Sequence, residues 1–235
     1  MLENQVSLTA IMTAYCRAYH AMNDDPKIFI DSLAYLLIPE ERRTLIEQGF
    51  SQACSAQNTN IQSMLQAMGL PNVISRARYA EDNLDESVEK GVRQYVILGA
   101  GMDTFAFRRL DMDGKLQIFE VDHPATQSFK RNMIAELNWV VPVNLHFVPA
   151  NFTSDSLASA LKEKSYNPKV KSFFSWLGVT MYLTREEIFT TLRSITDIAL
   201  TGSIIVFDYF VPEDQSINKQ DAWRKELHKI GEPIK

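Results

Sequence analysis

An α/β fold is expected here: a parallel sheet with helices on both faces, behind an N-terminal helical cap. Three features point to it. From Tyr95 to Tyr209, short apolar runs of strand type alternate with amphipathic helical stretches, the pattern of parallel strands joined by helical crossovers. The first apolar run ends abruptly in Gly99-Ala-Gly101, a turn that brings bare backbone close to whatever binds there. The first third carries helical periodicity and no strand pattern.

With 235 residues the chain is long enough for one large domain, so a cap over residues 1–70 and a core over residues 71–235 are expected to share one structural unit. A formal net charge of −5 argues against nucleic acid or an anionic membrane as the main partner, and toward a small molecule or a protein terminus as substrate. Cys16 and Cys54 are too few and too far apart for a disulfide framework or a zinc site. Residues 1–10 lack a basic segment followed by an apolar core, and no run approaches the roughly 18 apolar residues of a membrane span. A cytoplasmic protein is the expectation.

In the cap, Leu8, Ile11, Met12, Tyr15, Tyr19 and Met22 form a helical stripe that ends at Asn23-Asp-Asp-Pro26, with Arg17 off the stripe. Ile28 to Ile38 is a second apolar segment, closed by Pro39; Glu40 to Gln48 and Asn60 to Met68 read as further helices. Pro71 to Lys90 is a helix with Ile74, Ala77, Leu84 and Val88 on one face and Gly91 as its stop. Arg78, one turn after Ile74, borders that face and is expected either to point toward the sheet or to snorkel as a surface arginine. Strands are expected over Tyr95–Leu98, Leu116–Val121, Val143–Val148, Lys171–Leu177 and Ser203–Tyr209. Phe129, Met133 and Leu137 mark one intervening helix. Ile188, Leu192, Ile195 and Ala199 mark another, opened by a capping box at Thr184 and Glu187 and stopped by Gly202.

The glycine loop runs Gly99-Ala-Gly-Met-Asp-Thr104. A dinucleotide fingerprint wants Gly or Ala three positions after the second glycine and sets a pyrophosphate on the helix N-terminus. Here that position is Thr104, with Asp103 beside it. A carboxylate there repels pyrophosphate and suits a ligand with an ammonium and a sulfonium, the charge pattern of S-adenosylmethionine. Asp122 ends the second strand about 20 positions beyond Gly101, the spacing at which an acid accepts hydrogen bonds from ribose hydroxyls; as a helix cap it would serve structure instead. Asn151 and Phe152, after the third strand, are placed to meet an adenine edge and ring, or to make a turn. His123 reads as a loop histidine.

Ala77-Arg78-Tyr79, Leu98-Gly-Ala-Gly-Met-Asp-Thr104 with Phe107-Arg108, Phe119-Glu-Val-Asp-His-Pro124 and Leu177-Gly-Val-Thr-Met-Tyr-Leu183 follow one another in order along the chain. In that order and spacing the set resembles the leucine carboxyl methyltransferase family of S-adenosylmethionine-dependent enzymes, which includes bacterial O-methyltransferases associated with polyketide-type metabolites. The resemblance covers most of the chain. It implies a class I methyltransferase-like (Rossmann-like) core with S-adenosyl-L-methionine as cofactor. It makes Arg78 the partner of the cofactor carboxylate, Gly99 and Gly101 the loop against its methionine part, and Asp122 the ribose ligand, with Asn151 and Phe152 flanking the adenine. Arg17 stands where the family has an N-terminal cation near the cofactor or substrate carboxylate. The family often has Asp-Leu in place of Asn151-Phe152, and a Glu in place of Leu177, which leaves backbone carbonyls and Asp103 to hold the cofactor ammonium. The family's sheet resembles a seven-stranded one with an antiparallel pair after the fifth strand. This chain stops about where that pair would start, so five core strands are expected and the C-terminal pair is expected to be missing.

Methyl transfer to an oxygen of a small acid or peptide carboxylate is the expected reaction. The sulfonium is already reactive, so the protein mainly orients and desolvates. A carboxylate acceptor needs no general base, in keeping with a sequence that shows no His–Asp or metal constellation. No catalytic residue is assigned; Tyr182, with Tyr15 or Tyr19 from the cap, is a candidate for orienting the acceptor. Two rivals stand beside this reading: a nicotinamide-dependent oxidoreductase built on the same βαβ logic, and a non-catalytic cofactor-binding or interaction protein.

Overall fold

The structure, a computed structural model, describes residues 6–152 and 155–209. Five helices come first: α1 (Leu8–Asn23), α2 (Leu33–Leu36), α3 (Glu40–Gln57), α4 (Ile61–Ala67) and α5 (Leu70–Glu89). The α/β part follows as β1 (Gln94–Leu98), α6 (Phe105–Arg108), β2 (Gln117–Asp122), α7 (Pro124–Glu136), β3 (Leu145–Pro149), α8 (Leu157–Glu163), β4 (Ser172–Trp176), α9 (Arg185–Ile198) and β5 (Ile204–Phe207). Short 3-10 turns lie at Leu110–Met112 and Thr180–Tyr182.

The five strands form one parallel sheet in the order β3-β2-β1-β4-β5. Buried on both faces, β1 reads as an unbroken apolar run because neither side meets water. Val96 and Leu98 share one face with Phe119, Val121, Phe174 and Trp176, packed under Leu157, Leu161 and Ile195 of α8 and α9. Tyr95 and Ile97 share the other with Ile118 and Phe173, under Leu84 of α5 and Phe105 of α6. The chain leaves β1 toward β2 and β3, then returns to β4 on the opposite side. That reversal lies between β1 and β4, and ligands of open α/β sheets bind at the carboxyl ends of strands flanking such a point. Register brings the candidate residues together there. Leu98 pairs with Val121 and with Trp176, so Gly99, Asp122 and Leu177 leave the sheet side by side.

The cap has its own core of Ile11, Tyr15, Leu37, Ile38, Phe50, Leu65, Leu70 and Ile74. This core also takes in Met102 of the glycine loop and Met133 and Ile134 of α7. The cap is therefore packed directly on the loop after β1.

Three local outcomes differ from the sequence reading. Helix α3 runs on to Gln57, and its Phe50 joins the cap core. Helix α8, which offers Leu157, Leu161 and the small Ala160 as apolar anchors, was not anticipated; Ser156 caps it by accepting from the Ser159 N–H. The glycine loop leads into a four-residue helix, α6, and a 3-10 turn in place of a long crossover helix. The expected absence of a final strand pair concerns residues 210–235, which lie outside the described residues. Among the described residues, no helix is long and apolar enough to cross a membrane.

Candidate active site

Three segments meet at the ends of β1 and β4, and glycine lets them touch. Gly99 (φ +72°) and Gly101 (φ +52°) are both left-handed. A Cβ on Gly99 would lie 2.2 Å from Val179 Cγ2 in the loop after β4, and one on Gly101 would lie 3.0 Å from Ala10 Cβ on α1. Both positions therefore need glycine for space as well as for conformation.

The loop turns its N–H groups inward. Gly99 and Ala100 donate to the Val121 carbonyl at 2.8 and 3.2 Å, Asp103 donates to the Ala100 carbonyl at 2.9 Å, and Gly101 donates to Asp122 Oδ2. These four donors are spent on protein, so they form no cradle for a pyrophosphate. Asp122 is thereby tied to the loop across the strand gap. Its Oδ1 accepts from the His123 N–H at 2.6 Å, and the residue is 9% exposed. Burial pushes the Asp122 carboxyl upward, against the two backbone donors and the nearby Lys130 and His123 charges. The cap of α7 is His123, whose Nδ1 accepts from the Ala125 N–H.

Asp103 faces partly inward as well: its Oδ1 accepts from the Phe105 N–H at 2.7 Å and so opens α6. Asn151 and Asp155 close the turn after β3 reciprocally, each N–H bonding to the other residue at 2.8 Å. Phe152 leans on the core beneath α8 and α9. Leu177 and Tyr182 are both half-buried, on the same loop after β4 as Val179.

Arg78 takes the surface alternative. It does not point to the sheet: its side chain is 54% exposed and bonded to Asp82, through Nε at 2.8 Å and Nη2 at 2.7 Å. The buried stripe of α5 runs through Ile74, Ala80 and Leu84, position 78 lies on its rim, and an acid four residues on gives the arginine a partner in water. Arg76 is the arginine at the strand ends. It lies against Gly178, where a Cβ would meet Nη2 at 2.6 Å, and it donates to Asp208 Oδ2 at 2.8 Å. Asp208 also accepts from the Gly178 N–H at 2.7 Å, and its carbonyl accepts from Thr180 Oγ1 at 2.6 Å.

On the other side of the seam, Arg17 donates from Nε to Asp31 Oδ2 at 2.8 Å and from Nη2 to the Met102 carbonyl at 2.7 Å. Burial pushes the Cys16 thiol up to about 11, while Arg17 and Arg76 both pull it down. Sequence reasoning missed Arg76 and Asp31. The spacing of Arg78 and Asp82 was a readable sign that Arg78 had a local partner, and Asp31 stood out as an acid inside an apolar segment.

Residues 10–196 match the family profile described as leucine carboxyl methyltransferase. The chain belongs to that family. A relative from Bacillus subtilis (strain 168), provisionally named S-adenosyl-L-methionine-dependent methyltransferase YktD, is 38% identical over 252 residues, covering 100% of this chain and 82% of the relative. Another, Rv3399 of Mycobacterium tuberculosis (strain ATCC 25618 / H37Rv), with the same provisional function in its name, is 27% identical over 95% of this chain and 66% of its own length. Among solved structures, a DUF574 family protein from Streptomyces avermitilis superposes with a TM-score of 0.58 at 11% identity, over 100% of this chain and 80% of its own. That likeness concerns the fold. The leucine carboxyl methyltransferase member described here has the α/β, class I methyltransferase-like sheet that its sequence led one to expect.

Proposed function

We propose that this chain is an S-adenosyl-L-methionine-dependent O-methyltransferase acting on a carboxylate of a small-molecule acid or peptide. The cofactor and the transfer of a methyl group are those of the family and of the relatives' names. The residues present fit that cofactor. Gly99 and Gly101 close the loop against Val179 and Ala10, and the family resemblance sets the methionine part of the cofactor along this turn. Asp122, an acid held at the tip of β2 by two backbone donors, suits ribose hydroxyls. Arg76 replaces Arg78 as the partner for its carboxylate; Asn151 and Phe152 sit at the tip of β3, where an adenine would lie.

When bound, this cofactor supplies a methyl group on a positively charged sulfur, open to displacement by an oxygen lone pair in line with it. The chain's own part is to hold the acceptor and keep water out. One observation carries the preference for an acidic acceptor: Arg17 bonds to the Met102 carbonyl of the glycine loop and Arg76 lies against Gly178 of the loop after β4, so each strand-end loop has a guanidinium beside it. The nearby carboxylates are engaged as well: Asp31 to Arg17, Glu81 to Arg108 and Asp208 to Arg76. A carboxylate acceptor is already ionised at neutral pH and asks for no proton acceptor. The free thiols of Cys16 and Cys54 suit work in the cytoplasm.

The test is transfer of labelled methyl from S-adenosyl-L-methionine to a panel of acids, followed by alkali. Methyl esters release volatile labelled methanol, whereas ethers and N-methyl products retain the label. Alkali-volatile label is expected; label that survives alkali would overturn the carboxylate reading.

A further inference from the structure

Asp31 lies where the cap meets the glycine loop, and at 1% exposure it is out of reach of any ligand. Its two oxygens nonetheless gather donors from separate parts of the chain. Oδ1 accepts from Thr104 Oγ1 at 2.5 Å and from the Ala34 N–H at 3.2 Å, with Arg108 Nε 3.4 Å away. Oδ2 accepts from Arg17 Nε at 2.8 Å. Burial alone would push this carboxyl up; Arg17, Arg108 and the Thr104 hydroxyl outweigh it and hold Asp31 below the usual carboxylate range.

The restraint is passed on to the loop from two sides. Arg17 carries it to the Met102 carbonyl, and Thr104, fully buried, receives it directly. Arg108 closes the ring by donating to Thr104 Oγ1 at 2.8 Å and to Glu81 of α5 at 2.5 Å, while stacking 4.8 Å over Phe29. The turn held at Met102 and Thr104 begins at Gly101, whose N–H is the donor to Asp122.

We propose that Asp31 is a positioning residue for the cofactor: through Arg17 and Thr104 it fixes the turn 101–104, and through Gly101 the placement of Asp122. The cap and the cofactor site are then energetically coupled, and changes in the cap alter cofactor affinity without touching the ligand. This inference rests on the cofactor reading given above.

Thr104→Val removes the hydroxyl at nearly constant volume, Thr104→Ser keeps it, and Asp31→Asn keeps the shape while removing the charge. For each folded variant, the S-adenosyl-L-methionine dissociation constant is measured by calorimetry. Hydrogen exchange of the peptide spanning Gly99 to Thr104 is measured without cofactor. A hydrogen bond to a charged group is expected to matter by about tenfold or more in affinity. Thr104→Val and Asp31→Asn should therefore bind at least about tenfold more weakly and exchange faster in the turn, with Thr104→Ser restoring both. Should Asp31→Asn fail to fold, the Thr104 pair decides alone. Wild-type affinity and wild-type exchange in folded Thr104→Val, whatever its thermal midpoint, would overturn the inference and leave Asp31 a structural ion pair. If the wild type itself does not bind S-adenosyl-L-methionine, the cofactor reading fails, while the exchange data still show whether Asp31 sets the turn.

Discussion

Beneath Asp122 lies a second buried acid whose chemistry is visible in stability. Glu120 and Lys130 are each 1% exposed and paired at 2.5 Å, yet Glu120 Oε1 has no partner. Burial raises the Glu120 carboxyl from 4.5 to about 7, with Lys130 pulling the other way and Asp103 and Asp122 adding to the rise. A carboxyl raised on folding stabilises below its unfolded value and loses that contribution as pH climbs through the folded one. The stability of the wild type relative to a Glu120→Leu/Lys130→Met double variant should therefore fall between pH 4.5 and about 7. Thermal midpoints across that range check it, and a difference independent of pH would count against a raised Glu120. Lys130→Met alone strands a buried acid and should cost about 3–5 kcal/mol, with the double variant recovering much of it.

The loops after β1 and β4 form one joint, because Gly99 leaves no gap to Val179. Gly99→Ala would place a methyl 2.2 Å from Val179 Cγ2 at a φ of +72°, so both loops must part. The expected cost is about 1–3 kcal/mol of stability, with a loss of S-adenosyl-L-methionine affinity larger than that of Gly114→Ala, whose added Cβ meets nothing within 4 Å. Equal effects of the two changes on affinity would separate the joint from the binding site. Much of this part of the structure was readable in the sequence. Glycines forced the turn, apolar runs fixed the strands, and the capping box at Thr184 and Glu187 opens α9 as its spacing required. What was not readable depended on partners far along the chain. Arg76 is singled out from Arg78 by Asp208, and Asp31 by Thr104, across gaps that no local pattern reports. Helix α8 had too few apolar residues to announce itself.

Taken together, the five-stranded sheet fixes where chemistry can occur, and the cap supplies what the strand ends lack. The reversal between β1 and β4 puts Gly99, Asp122 and Leu177 in one row, and α1 covers that row with Ala10 and Arg17. Sequence pattern reaches this arrangement because a parallel sheet allows few topologies. It does not reach the cap's seating, in which an apolar core shared with Met102, Met133 and Ile134 and the buried contacts of Asp31 join residues far apart in the chain.

The decisive measurement is calorimetric binding of S-adenosyl-L-methionine to the folded wild type and to Asp122→Asn, with reduced nicotinamide dinucleotide as a control. Asp122 is the acid that both the loop and the ribose would share. Binding to the wild type, a loss of about tenfold or more in the variant and no binding of the nicotinamide cofactor are expected. A folded wild type that ignores S-adenosyl-L-methionine, or binding that Asp122→Asn leaves unchanged, would contradict the placement of the cofactor at the ends of β1 and β2.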